Sequence, residues 1–274
     1  AQTFSLETAQ TASASAARSA SQAATFPTGF YVEDAVGESF VLAVNVAFAP
    51  GGRMFVVEKR GLVWVVENGV RQPTPFIDIS QEVLNQQDRG LLGIAIDPDF
   101  ETNRYVYLSY TVDHEETADR RRHDAYNRVT RYAARADNPN LADLTSRTIL
   151  IGQTFSTGIP SCHRSHSIGT IQFGSDGTLL VGAGDGASFS TMDDGGLYAE
   201  CSGPGTRDAS EDLAAFRSQR IERLARKILR LDPATGQAPL RATALGARAA
   251  QLGRECFDAD VPKSDACDRI LADL

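Results

Sequence analysis

An all-β fold assembled from repeated antiparallel hairpins is what this sequence predicts, and three observations carry that expectation. Runs rich in Val, Ile, Leu, Tyr and Phe recur between clusters of Gly, Pro, Asp and Asn, the signature of strands joined by tight turns. One strand–turn–strand plan returns three times along the chain, and such internal repetition marks an array of like units. With 274 residues, 42% hydrophobic and 23% charged, the chain also has enough apolar side chains to bury a sizeable core.

Taken in order, residues 1–24 consist almost wholly of Ala, Ser, Thr and Gln. They have neither apolar periodicity nor the basic start and apolar centre of an intact leader, and read as a disordered arm. "VAFAPGGRMFVVEKRGLVWVVENG", from Val46, alternates three strands with two turns. "GIAIDPDFETNRYVYLSYT", from Gly93, repeats the plan with a longer turn, and "GTIQFGSDGTLLVGAGDG", from Gly169, repeats it again. Residues 76–79, 127–133 and 148–151 are further strand candidates. Several short strands per unit, with long connections, match the blades of a β-propeller better than a sandwich, whose strands recur at shorter and more even spacing. The expected inner strands are 44–49, 92–96 and 170–174. The charged stretch 112–127 reads as a solvated connection, and the Gly- and Asp-rich stretch 190–210 as a long loop of the kind that carries function. A short amphipathic helix capped by Asp208 or Ser210 is expected next, running into a strand at 227–231. Residues 238–274 are rich in Ala, Arg and Leu with no period-two run, and read as a helical tail.

The net charge of −8 gives no field to attract nucleic acid or an anionic membrane, and no apolar run reaches the length of a membrane helix. Four cysteines, none in a C-x-x-C pair, argue against a structural zinc site and allow one or two disulfides. Cys162 enters the third repeat and Cys201 leaves it, so these two are expected to meet on the same side as His166. No partner is expected for Cys256 or Cys267.

Six motifs in order, "AFAPGGRMFVVEKRGLVWVVENG", "PFIDIS", "DRGLLGIAIDPDFETNRYVYLSYT", "NRVTRY", "HSIGTIQFGSDGTLLVGAGDGA" and "ARKILRLDPATG", resemble the quinoprotein sugar dehydrogenases of the glucose, aldose sugar and sorbosone type. The Hedgehog-interacting proteins carry a related propeller. The resemblance implies a six-bladed β-propeller of antiparallel four-stranded blades, of which this chain supplies about three to four, at about 40 to 45 residues per blade. The implied organisation is a disordered arm over 1–24, a partial propeller over 25–237 and an atypical tail over 238–274, as of a truncated or frame-shifted copy. An open arc of this kind leaves an apolar blade face uncovered.

The resemblance further implies oxidation of an aldose at C1, with pyrroloquinoline quinone (PQQ) and Ca2+ as cofactors and a periplasmic or secreted location. His166, opening H-x-x-G, falls on the family's catalytic base. Hydride removal from carbon requires the neighbouring hydroxyl to lose its proton in the same step, and an imidazole is suited to take it. Gly169 and Gly186 fall at cofactor-facing positions. Asp88 and Ser165 replace the substrate-facing Gln and Asp of the glucose dehydrogenases. His114, His123 and His163 match no family position and read as surface residues. The family's Arg-Asn loop and most quinone and calcium ligands have no counterpart here, so little quinone binding or turnover is expected. A non-catalytic binding propeller of the Hedgehog-interacting kind is the alternative. A lactonase-like hydrolase lacks the carboxylate cluster it needs.

Overall fold

The computed structural model describes residues 27–31, 35–113, 125–190, 218–220 and 223–238. The expected arm, the tail beyond 238, most of the helix expected after 210, His114, His123, Cys201, Cys256 and Cys267 lie outside the described residues. Two compact units divide the chain at residues 35 and 36. In the first, Phe30 N–H donates to Pro27 O at 3.1 Å to close a turn. The second contains every strand.

Its first sheet joins β1 (Ala43–Phe48), β2 (Met54–Glu58), β3 (Leu62–Glu67), β4 (Val70–Arg71) and β5 (Ile77–Asp78). The second joins β6 (Leu91–Ile96), β7 (Tyr105–Asp113), β8 (Ala125–Ala134), β9 (Ala142–Ile151) and β10 (Ile159–Ser161), and the third β11 (Ile168–Phe173), β12 (Leu179–Ala183) and β13 (Lys227–Leu231). All pairings are antiparallel and follow chain order outward from β1, β6 and β11. β4 pairs with one end of β3 and β5 with the other, and β9 and β10 divide β8 in the same way. Each five-stranded sheet is thus a four-stranded blade whose outermost strand is interrupted. The expected inner strands are β1, β6 and β11, and β6 packs against both of the others.

The strands carry apolar residues on both faces because the sheets are stacked. One core gathers Phe55, Val57, Val63 and Val65 from the first sheet with Ile94, Val106, Leu108 and Tyr110 from the second. A separate core joins Ala95, Tyr107, Val129 and Ile159 of the second sheet to Ile168, Ile171, Leu179 and Val181 of the third. Alternate residues of β7 therefore face different cores, as the strand period of two requires. Edge-on ring pairs seal both interfaces, Phe55 on Phe100 at 6.0 Å and Tyr107 on Phe173 at 5.2 Å. Each such buried side chain contributes about 1.5–3 kcal/mol. Close stacking also explains Gly93, where a Cβ would lie 2.7 Å from Gly169 O on the neighbouring inner strand. The chain is a partial β-propeller. On the outer face of the first sheet Val44, Val46 and Phe48 stay exposed.

Candidate functional site

The connections β2–β3, β5–β6, β10–β11 and β12–β13 leave the sheets at one end of the blades, and His166 stands there. Its backbone is left-handed, φ 53°, a conformation that non-glycine residues adopt rarely and mostly under outside constraint. The constraints are visible. His166 N–H donates to Asp88 Oδ2 at 3.2 Å, and His166 O accepts Gly186 N–H at 3.0 Å. Gly184 N–H donates to Ser167 O at 2.8 Å and His163 N–H to Gly186 O at 2.9 Å, so residues 163–167 and 184–186 are laced together. A Cβ on Gly184 would overlap His166 O, and Gly186 turns through φ 61°. The Gly-Asp-Gly motif is therefore more than turn punctuation.

Its aspartate holds the histidine. Asp185 Oδ1 lies 3.1 Å from His166 Nδ1 and also accepts Ala187 N–H at 3.1 Å, while Oδ2 is 3.4 Å from Arg226 Nη1. The carboxylate is buried, whereas the imidazole is 47% exposed. A carboxylate only accepts, so Nδ1 carries the proton and Nε2 presents its lone pair. A buried acceptor behind an accessible imidazole fixes one tautomer of the neutral ring and leaves Nε2 able to accept a hydrogen bond.

The supporting loops are braced separately. Arg89, buried next to Asp88, donates to Ser161 Oγ at 3.1 Å, to Ser161 O, and to Cys162 O at 3.3 Å, which fixes the approach to His166. Gly90 allows this, since a Cβ there would lie 2.7 Å from Lys59 O. Behind His166, Asn127 Oδ1 accepts the hydroxyls of Thr111 and Ser167, each at 2.8 Å. Lys59 Nζ donates to Asn85 Oδ1 at 2.6 Å. Burial lowers the Lys59 ammonium from its ordinary value, against the pull of the Asp88 carboxylate. Cys162 is disulfide-bonded, and the expected partner, Cys201, lies outside the described residues.

The structure brings His166 and Asp88 together and places Ser165 beside them in a particular way. Ser165 is 1% exposed, and its hydroxyl donates to Ala187 O at 2.5 Å. His163, expected at the surface, is instead half-buried, with Nδ1 2.7 Å from Ser165 Oγ. That expectation failed because a buried hydroxyl already donating to a carbonyl has only its lone pairs to offer, and a nearby ring N–H satisfies them. Gly169 faces open space on one side: a Cβ there would meet only Gly182 O, at 3.8 Å. With Gly182, Gly184 and Arg226 it lines a cavity of about 380 Å³. Sequence reasoning missed Asp185, Arg226, Lys59 and Arg89 as parts of this site. The one available signal was Asp185 lying between two glycines that follow a strand.

A model of the glucose / sorbosone dehydrogenase family matches residues 41–240. Human Hedgehog-interacting protein is 33% identical over 147 residues, covering 52% of this chain and 20% of its own length. A solved Thermus thermophilus structure, described as an oxidoreductase (glucose dehydrogenase), is 26% identical with a TM-score of 0.52, covering 76% of this chain and 49% of that one. The PQQ-bound form of aldose sugar dehydrogenase from Streptomyces coelicolor is 22% identical with a TM-score of 0.49, over 71% of this chain and 46% of that one. The chain thus spans about half the length of these solved relatives and less of the human protein.

Proposed function

The chain belongs to the glucose / sorbosone dehydrogenase family, and on that premise we propose that it forms the base-bearing part of a PQQ-dependent sugar dehydrogenase that oxidises an aldose at C1. The observation that carries this reading is the contact of His166 Nδ1 with the buried Asp185 carboxylate at 3.1 Å, which leaves Nε2 as acceptor. Breaking the C1–H bond with its electron pair leaves a carbonyl only if the C1 hydroxyl gives up its proton, and His166 Nε2 takes that proton. Asp185 stabilises the resulting imidazolium and keeps the ring from rotating. Asp88 holds the His166 backbone, and Ser165 holds the loop beneath it.

A two-electron acceptor for the hydride is what PQQ supplies when bound. The described residues fit one edge of such an anionic quinone. Gly169 leaves backbone open to a flat ring, and Gly182 and the Arg226 guanidinium border the same cavity. The cofactor role of Gly186 rests on the resemblance alone. No group of three or more His, Cys, Asp or Glu side chains gathers among the described residues, so calcium rests on the resemblance alone and no step here uses it. The sugar is a small-molecule substrate, and a periplasmic or secreted location goes with the same proposal. No helix among the described residues is long and apolar enough to cross a membrane.

The 33% identity to human Hedgehog-interacting protein favours a second reading, a propeller that binds a partner without redox chemistry. Titration of the purified chain with PQQ, followed by dye-linked oxidation of several aldoses, separates the two. Saturable oxidation that His166→Ala abolishes supports the enzyme. Oxidation that His166→Ala leaves unchanged rejects it.

A further inference from the structure

The laced segments carry a second feature that the base does not use. Phe189, four residues beyond Asp185, is 65% exposed. The other described aromatic side chains of the strands and their turns are largely buried, Phe48 on the uncovered face of the first sheet excepted. The Phe189 ring is not isolated, because it lies 5.9 Å from the His163 ring at an interplanar angle of 58°. His163 is itself fixed. The Ser165 hydroxyl donates to Ala187 O at 2.5 Å, so at 2.7 Å from His163 Nδ1 it accepts the ring N–H. Beyond Phe189, Ser190 N–H donates to Ser188 Oγ at 3.2 Å, which closes a turn around the ring.

These contacts run in one chain from the base outward. Asp185 holds His166 and accepts Ala187 N–H; Ala187 O anchors Ser165; Ser165 anchors His163; and His163 backs Phe189. An exposed aromatic ring held by a positioned neighbour has already lost most of its rotamer freedom, so a ligand that stacks on it orders little more. The face of such a ring is electronegative and attracts polarised C–H groups. A cyclic sugar presents a face of axial C–H bonds, while its hydroxyls point around the rim. Ser165, by contrast, is buried with its hydroxyl already engaged, so it presents no free hydroxyl to a sugar, and the exposed groups of this region include the Phe189 ring face and the Asp88 carboxylate.

We propose that Phe189, backed by His163, is a specificity-determining shelf on which the C–H face of a pyranose stacks beside His166. This rests on the proposed sugar oxidation and names its substrate class as cyclic sugars, in preference to open-chain polyols. The test is titration of the purified chain with glucose, 1,5-anhydroglucitol and sorbitol by ligand-observed NMR, and separately with PQQ by fluorescence, for the parent, Phe189→Ala and Phe189→Trp. Both cyclic ligands bind the parent, and sorbitol binds about tenfold more weakly. Phe189→Ala weakens glucose by about tenfold with its circular dichroism unchanged, Phe189→Trp restores it, and PQQ affinity is the same in all three. Equal glucose affinity in the parent and Phe189→Ala overturns the shelf, as does equal affinity for sorbitol and glucose. A parent that binds PQQ but no cyclic sugar overturns the shelf and leaves the redox reading standing. Stacking lost in Phe189→Ala keeps the shelf whether or not this chain binds PQQ, and sugar oxidation unchanged by His166→Ala overturns the redox reading while leaving the shelf standing.

Discussion

The two ends of the blades treat left-handed backbone differently. At the end remote from His166, tight turns reverse the chain, and Gly51 (φ 82°), Gly69 (φ 76°) and Gly177 (φ 78°) supply most of the positive angles, with Asn68 and Arg104 beside them. At the site end Leu42, Gln87, His166 and Arg226 adopt the same region with φ between 50° and 53°. The site end has positive-φ glycines of its own, Gly61, Gly90 and Gly186, so what sets it apart is the added non-glycine positions. At His166 the cost, of order 1–2 kcal/mol, is taken where the reversal also aims a side chain at the site. Each end has its own polar brace. Remote from the site, Glu67 binds Arg53 at 2.8 Å and Asn140 at 2.7 Å, and Arg53 reaches Asn140 at 2.8 Å, tying the first sheet to the second. Near the site, Arg89 and Asp185 do the corresponding work on loops.

This contrast is sharpened most by His166→Ala. In the quinone-loaded protein, sugar oxidation should fall by about 10²–10⁴, the worth of a positioned general base, while thermal stability falls slightly, because Ala keeps the Cβ that opposes the left-handed backbone and the buried Asp185 carboxylate loses one partner. An unchanged rate would remove His166 from the chemistry. Next in size is Gly184→Ala, whose methyl would overlap His166 O. Displacing a laced loop costs about 1–3 kcal/mol, read as a lower urea midpoint, and oxidation should fall with it. At the opposite end Gly177→Ala meets no atom within 4 Å, so only the backbone angle opposes it. A loss of about 1 kcal/mol with full sugar binding is expected, and any loss of binding would mean the two ends are coupled.

The smallest effect is one of pH. The hydrogen bond from Asn140 holds the Glu67 carboxyl below its ordinary value, burial opposes this, and Arg53 adds to the lowering. Burial pushes the Glu58 carboxyl up, but Val41 N–H and Arg60 outweigh it, so the net shift is again downward. A carboxyl depressed in the folded state contributes stability that is present above its unfolded value, about 4.3 for Glu, and lost as pH falls through the folded one. Denaturation midpoints should therefore drop below about pH 4.3, and Glu67→Gln should flatten that drop without touching the site. A variant that keeps the full acid dependence would show that Glu67 carries none of it.

Most of the fold is legible in the order of residues. The repeats beginning at Val46, Gly93 and Gly169 became the inner and second strands of three successive sheets, because period-two apolar runs between Gly and Pro have few other ways to bury themselves. β13 falls on Lys227–Leu231 as expected. β9, expected only over 148–151, begins at Ala142. Its first half is polar and half-exposed, so no hydrophobic pattern announced it. Of the interrupted outer strands, β5 at Ile77–Asp78 falls within the run expected over 76–79, whereas β4 and β10, two and three residues long, leave almost no periodic signal and were unforeseen.

The site divides along the same line. His166 is legible because a motif marks it, and Asp88 because it opens another of the six motifs. His163 reads as a surface residue and is half-buried, because nothing in the order of residues shows that Ser165 turns inward. Composition, turn residues and the repeat determine by themselves that this chain makes antiparallel blades, because those preferences act over a few neighbouring residues. Which side chains meet at the end of the blades was decided only by tertiary structure. Asp185 reaches His166 across 19 residues, Asp88 across 78, and Arg89 reaches Ser161 across 72. The first closes when β11 pairs with β12, and the other two only when β6 and β11 stack with Gly93 against Gly169. A hydrogen bond depends on position to within a fraction of an ångström, and that position is fixed by the packing of whole sheets.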